Sequence, residues 1–193
     1  MAEKIQLAET VMLMDAAYLN LVIADLKKNF ERILGRSLHD IDLAQLITYL
    51  ALDSSISQGK NEIQVLWVYD EKSSTLVHCN PSDLKEELNG VAFTNQFGEF
   101  SFAGVPAEHL VSCKELYLDL LTIVADSSDV KKIIIVSHDE TSDASLEKEI
   151  GKIKDKEIIY FRMNEPQSEA SYRWELLAYP VMQALGIRGD ELS

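Results

Sequence analysis

The chain has 193 residues, of which 47% are hydrophobic and 26% charged, and a formal net charge of -14. That length suits one domain, and the apolar share is enough for a sizeable core, which argues against intrinsic disorder. The strong acidity disfavours a nucleic-acid binder built on a basic stripe, since such binders gain affinity by displacing counterions from phosphates.

In chain order, Thr10–Met14 is a short apolar run ending at Asp15, and it reads as a buried strand. Leu19, Ile23, Leu26, Phe30, Ile33 and Leu34 then recur at helical spacing, with Lys27, Lys28 and Glu31 between them. Gly35 is a natural stop, Ser37 and Asp40 offer the next cap, and Leu43, Leu46, Ile47 and Leu50 mark a second helix. Glu62–Asp70 carries apolar residues on both alternating faces, as expected of a strand covered by helices on both sides. Asn80-Pro81 opens a short helix through Leu88 that Asn89-Gly90 ends. Val91–Phe102, with Phe93, Phe97, Phe100 and Phe102 around Gly98, reads as irregular β structure or a hairpin.

Further on, the spacing predicts a helix over Val111–Ala125, a strand over Lys131–Ser137, a helix over Ser142–Lys154 and a strand over Glu157–Met163. A closing helix is expected within 168–186, its body over Tyr172–Leu185, kinked or interrupted at Pro180 and stopped near Gly186. Strands alternating with helices imply a three-layer, Rossmann-like α/β fold with a mainly parallel central sheet. Residues 1–193 read as a single such domain, its core over about 8–163.

Cys79 and Cys113 are too few for a disulfide framework and are expected to be reduced, buried thiols. Met1–Lys4 has no basic region leading into a long apolar run, and no segment approaches a membrane span. A cytoplasmic protein with no membrane association is therefore expected.

Ligands of open α/β sheets bind beyond the carboxyl ends of the strands, so the residues that end the strands matter most. The first strand ends in Asp15, and the fourth predicted strand runs into Ser137-His138-Asp139-Glu140. The helix before that strand carries Glu115 and Asp119, one turn apart. If Asp15, Asp119 and Asp139 converge, their mutual repulsion is relieved by protonation or by a divalent cation, and an all-oxygen set suits Mg²⁺ or Mn²⁺. Against this stands the plainer role of Asp as a helix N-cap, which fits both Asp15 and Asp139, while Asp119 fits an ordinary exposed helix position.

His138 beside Asp139 is a candidate ligand, acid or base, or simply a loop residue. No nucleophile sits at triad spacing, and neither a G-x-G-x-x-G nor a P-loop motif is present. The phenylalanine cluster suits a base-stacking platform less well than core. Trp174, Leu177 and Tyr179 likewise suit core better than a partner surface.

The stretches Val11–Asp15, Lys114–Leu121 and Ile133–Asp139 resemble, in order and placement, the PIN-like nucleases, especially their NYN-type branch. The resemblance implies a Rossmann-like nuclease fold and metal-dependent RNA hydrolysis, with Asp15, Asp119 and Asp139 as catalytic metal ligands. By the same resemblance Asn20, Lys114 and His138 would contact substrate. The chain departs from the family pattern in several places. Asn20 lies later after Asp15, with Tyr18 in the expected position. His138 replaces a Gly, Thr141 replaces the second Asp of the terminal motif, and Glu115 fits the family's other helix acid only loosely.

Three functions stay open: a Mg²⁺- or Mn²⁺-dependent endoribonuclease; a catalytically inactive PIN-like module that binds a protein partner or itself; and a small-molecule enzyme, for instance one acting on a phosphorylated metabolite. The net charge suits a protein partner better than RNA.

Overall fold

A computed structural model describes residues 6–109, 111–137, 145–166 and 168–192. Strand β1 (Thr10–Asp15) leads into helix α1 (Ala16–Leu34), followed by β2 (Ile41–Asp42), α2 (Leu43–Asp53), β3 (Asn61–Tyr69) and β4 (Cys79–Asn80). After a single π-helical turn (Leu84–Leu88) come β5 (Ala92–Asn95), β6 (Gly98–Pro106), α3 (Cys113–Asp126) and β7 (Lys132–Val136). The chain finishes with α4 (Ser145–Gly151), β8 (Glu157–Arg162), β9 (Arg173–Leu176), α5 (Ala178–Ala184) and a 3₁₀ turn (Gly189–Leu192).

Seven strands form one sheet in the order β5-β6-β3-β1-β7-β8-β9, parallel throughout except for the antiparallel β5–β6 hairpin. Numbered along the chain, the parallel strands run 3-2-1-4-5-6, the doubly wound order in which the winding reverses beside the first strand. Here that reversal falls between β1 and β7. The molecule is thus an α/β protein with a mainly parallel central sheet.

The pleat divides the core into two layers. Met12 and Met14 of β1 face α1, α2 and α5, joined by Leu19, Ile23, Leu46, Ile47, Val181 and Ala184. Val11 and Leu13 face the opposite side, where Tyr117, Leu121 and Val124 of α3 and Ile150 of α4 cover them. The four phenylalanines belong to the first layer: Phe97, Phe100 and Phe102 are buried, and Phe93 stacks on Phe100 with ring centroids 4.8 Å apart.

Local signals set the element ends. The Asp15 side chain caps α1, and Gly35, at φ 66°, ends it with its amide bonded to the Glu31 carbonyl. Asp42, rather than Ser37 or Asp40, caps α2. Asp83, rather than Asn80-Pro81, caps the π-helical turn, and the Asn80–Pro81 peptide is cis.

The expected closing helix is corrected. Arg173–Leu176 instead extends the sheet as β9, parallel to β8, and helix begins only at Ala178. Pro180 sits in the first turn of α5, where its missing N–H breaks no helical bond, so it neither kinks nor interrupts the helix. Cys79 is buried, but Cys113 is only half-buried, a second departure from expectation. The part of the expected 142–154 helix before Ser145 lies outside the described residues.

Candidate functional site at the switch point

Strand register determines what meets at the carboxyl rim. Asp15 pairs with Val68 of β3, and Met14 pairs with Val136 of β7, so Ser137 follows β7 at the level of Asp15. Asp70 follows β3 two residues beyond Val68, about 7 Å further along the strand direction. Three neighbouring strands therefore deliver Asp70, Asp15 and Ser137 to one rim, at the point where the sheet's winding reverses.

A cleft of about 330 Å³ opens there, and its lining includes these three residues together with Lys114, Tyr117 and Leu146. Such rims are the usual ligand-binding places of doubly wound sheets, and the volume is that of a small-molecule pocket.

Helix α3 forms one wall. Its capping box is complete: the Ser112 hydroxyl accepts from the Glu115 amide at 3.1 Å, and the Glu115 carboxylate accepts from the Ser112 amide at 3.4 Å. The stripe that α3 presents to the cleft is Cys113, Lys114, Tyr117 and Leu118, spaced as one helical face. The Tyr117 hydroxyl is buried and donates to the Leu13 carbonyl at 2.8 Å, which fixes the rotation of α3 against β1. Burial, with added repulsion from Asp15, pushes the Tyr117 phenol well above its ordinary range, so it stays a donor.

The two carboxylates are held differently. Asp15 accepts from the Tyr18 amide at 3.2 Å, as an N-cap. Asp70 accepts from the Lys72 and Ser73 amides, each at 3.0 Å, and from the Ser73 hydroxyl at 2.9 Å. Burial raises the Asp70 carboxyl, but these hydrogen bonds outweigh it and hold the group below the usual range. Cys113 lies against the same carboxylates. Burial first, then Asp70 and Asp15, push its thiol up to about 11, so it is a protonated thiol and no nucleophile at neutral pH. Cys79, more deeply buried, is pushed up to about 12.

A second polar network braces the far wall. The Arg162 guanidinium donates to Glu147 of α4 at 2.9 Å and to the Tyr172 hydroxyl at 2.6 Å, and Tyr172 donates to Glu147 at 2.7 Å. Arg162 is buried and also lies 5.6 Å from the Tyr160 ring centroid. The network fixes α4, whose Leu146 lines the cleft.

Among the residues expected from sequence, Asp15 and Lys114 line this cleft. Asp119 is exposed and does not, because two residues past Tyr117 it lies about 200° around the helix. Asn20 does not line the cleft either. Its side-chain amide donates to the Thr75 carbonyl at 2.9 Å and accepts from the Val77 amide at 3.1 Å, clamping the loop after β3 to α1. His138 and Asp139 lie outside the described residues. Asp70 and Ser137 are the residues that sequence reasoning missed. The signal was present, since Asp70 directly follows β3 much as Asp15 ends β1, and the two strands are neighbours.

Among the described residues, no group of three or more His, Cys, Asp or Glu side chains is placed to hold a metal ion. The described part of the cleft thus does not supply the three-carboxylate set that Mg²⁺ or Mn²⁺ would need. Also among the described residues, no helix is long and apolar enough to cross a membrane.

Fold and site together define a doubly wound α/β protein with a mostly apolar cleft at its switch point, into whose lining Asp15, Asp70, Lys114 and Ser137 bring polar groups. The chain belongs to DUF6621, a family of unknown function, whose model matches residues 4–192. No curated protein and no solved structure matches it.

Proposed function

We propose that this chain is a PIN-like α/β domain that does not hydrolyse RNA and serves as an interaction or regulatory module, with the switch-point cleft as its recognition site. One observation carries the reading: the face that α3 turns to the cleft is Cys113, Lys114, Tyr117 and Leu118, none of them an acid. The acids of that helix are engaged or directed elsewhere. Glu115 completes the capping box, and Asp119 is exposed outside the cleft. Asn20, expected on substrate, instead holds a loop. The net charge of -14 adds support, since it repels a phosphate backbone and suits a protein or small cationic partner.

The test is an RNA cleavage assay on the full chain with Mn²⁺ or Mg²⁺ at millimolar concentration, using single-stranded and hairpin substrates and Asp15→Asn as control. No cleavage above that of Asp15→Asn is expected. Robust cleavage by the unaltered chain that disappears in Asp15→Asn overturns the reading and restores the metal-dependent ribonuclease.

A further inference from the structure

Helix α3 leaves one flank uncovered. Its inward face is Tyr117, Leu121 and Val124, and the flank with Thr122 and Ala125 meets Glu149 and Ile153 in a groove beside α4. On the other flank, away from α4 and toward β3 and β6, stand Leu116, Leu120 and Ile123, one above another at helical spacing. Leu116 and Leu120 are half-buried, and Ile123 is 57% exposed. Among the described residues, α3 and α4 are the helices that cover this layer of the core, so no helix meets that stripe.

The sheet beneath the stripe is uncovered as well. Ser101 and Ala103 alternate along β6 with Phe100 and Phe102, whose rings fill the opposite layer, so they turn to the side of α3. Ala92 pairs with Ser101 and Thr94 with Glu99, and both β5 residues are exposed on that same face. These floor side chains are small, so an incoming backbone can approach closely. Stripe and floor form a corner with an apolar wall.

Its rim is acidic. Glu62 of β3 and Glu99 of β6 are partners in the parallel register, share this face and are exposed. Neither makes a hydrogen bond or ion pair among the described residues. Like charges opposite each other on neighbouring strands cost stability, and a cation supplied from outside relieves that cost. Asp119, one turn from both Leu116 and Ile123, is exposed and equally without a partner among the described residues.

We infer that this corner docks a basic amphipathic helix of a protein partner, with the helix's apolar stripe on Leu116, Leu120 and Ile123 and its lysines or arginines at Glu62, Glu99 and Asp119. The wall from Leu116 to Ile123 rises about 10 Å, so about two turns of helix cover it. Charge decides against a second copy of this chain, which would bring its own -14 to an acidic rim. The corner goes beyond the cleft reading, because the cleft lies on the flank of α3 that carries Lys114 and Leu118.

The test is fluorescence anisotropy of the full chain with a labelled, capped peptide of about four helical turns, leucine on one stripe and lysine beside it. Two control peptides replace every lysine by glutamate or every leucine by serine. Saturable binding of the leucine–lysine peptide alone is expected. Ile123→Ser, at an exposed position, should fold as the unaltered chain does by circular dichroism and weaken binding about tenfold, the loss of one apolar anchor. The double variant Glu62→Gln, Glu99→Gln should weaken it several-fold and flatten its salt dependence, while thermal melting shows no loss of stability. A charge-matched pair on the other side of the sheet, Asp25→Asn with Glu86→Gln, should leave binding nearly unchanged. Absence of saturable binding overturns the inference, as does binding unaltered in Ile123→Ser or weakened equally by the Asp25 and Glu86 pair. Sedimentation velocity of the chain alone should show a monomer. A dimer that dissolves in Ile123→Ser gives the corner to a second copy and overturns the helical partner. RNA cleavage bears on the cleft alone, so either result can fail without the other.

Discussion

The Tyr117 hydroxyl donates to the Leu13 carbonyl across 104 residues of sequence, tying α3 to the central strand of the sheet. The contact is more than an anchor. By fixing the rotation of α3 it decides that Cys113 and Lys114 face the cleft and that Asp119 does not.

Tyr117→Phe keeps the ring and removes only the donor. It should lower unfolding stability by about 1–2 kcal/mol, the usual cost of a buried hydrogen bond whose acceptor is left behind. Urea denaturation gives the value directly. An unchanged midpoint would mean that the bond contributes nothing.

Cys113 should react slowly. With its thiol pushed from 9.0 up to about 11, the thiolate population at pH 8 is roughly a hundredth of that of an unperturbed cysteine. Iodoacetamide labelling followed by mass spectrometry should show Cys113 alkylated correspondingly slowly. Asp70→Asn removes a negative neighbour that raises the thiol, so the same measurement should show faster labelling in that variant. Equal rates would mean that burial alone protects the sulfur.

Acid should loosen the C-terminal end of the chain. Arg36 and the Arg188 amide both bond Glu191, the first at 2.7 Å, and hold its carboxyl from 4.5 down to about 2. A carboxyl lowered by folding contributes stability above its unfolded value and loses it as pH falls through the folded one. The melting temperature should therefore decline between about pH 4.5 and pH 2, and less steeply in Glu191→Gln. Parallel declines in the two proteins would remove Glu191 from the explanation.

Gly98 opens β6 at φ 131°, and a Cβ there would run into the backbone of Asn61 on the neighbouring strand β3. Gly98→Ala should cost more than about 2 kcal/mol, combining strain with a collision against backbone that cannot rotate away. Thermal melting of the variant checks this, and a loss under 1 kcal/mol would show that the strand start shifts freely.

Much of the architecture was legible because its strands are apolar on both faces. The runs over Val11–Met14 and Ile133–Val136 have no other home than the middle of a helix-covered sheet, and both are fully buried there. β9 was not legible. Arg173, Trp174, Glu175 and Leu176 form only four residues, and with Tyr172 and Leu177 they mimic helical spacing, while the pairing with β8 that makes them a strand is tertiary.

The site was half legible for a similar reason. That Asp15 ends a strand can be read from the chain, and so could the same position of Asp70. The facing of Asp119 depends on the rotation of α3, which the Tyr117–Leu13 bond sets and helical periodicity alone does not.

The placement of β1 also governs how the cleft can move. Val11, Met12, Leu13 and Met14 are wholly inaccessible and bonded to strands on both sides, so their amides should exchange with deuterium only on global unfolding. One bank of the cleft is therefore as rigid as the protein itself. The opposite bank is helical: α3 is held by core packing of Tyr117, Leu121 and Val124 on β1 and by the Tyr117 hydrogen bond, and α4, of seven residues, is held by Ile150 and the Arg162 network. Among the described residues, any breathing that admits or releases an occupant falls to these two helices, and the sheet serves as a fixed datum against which they shift.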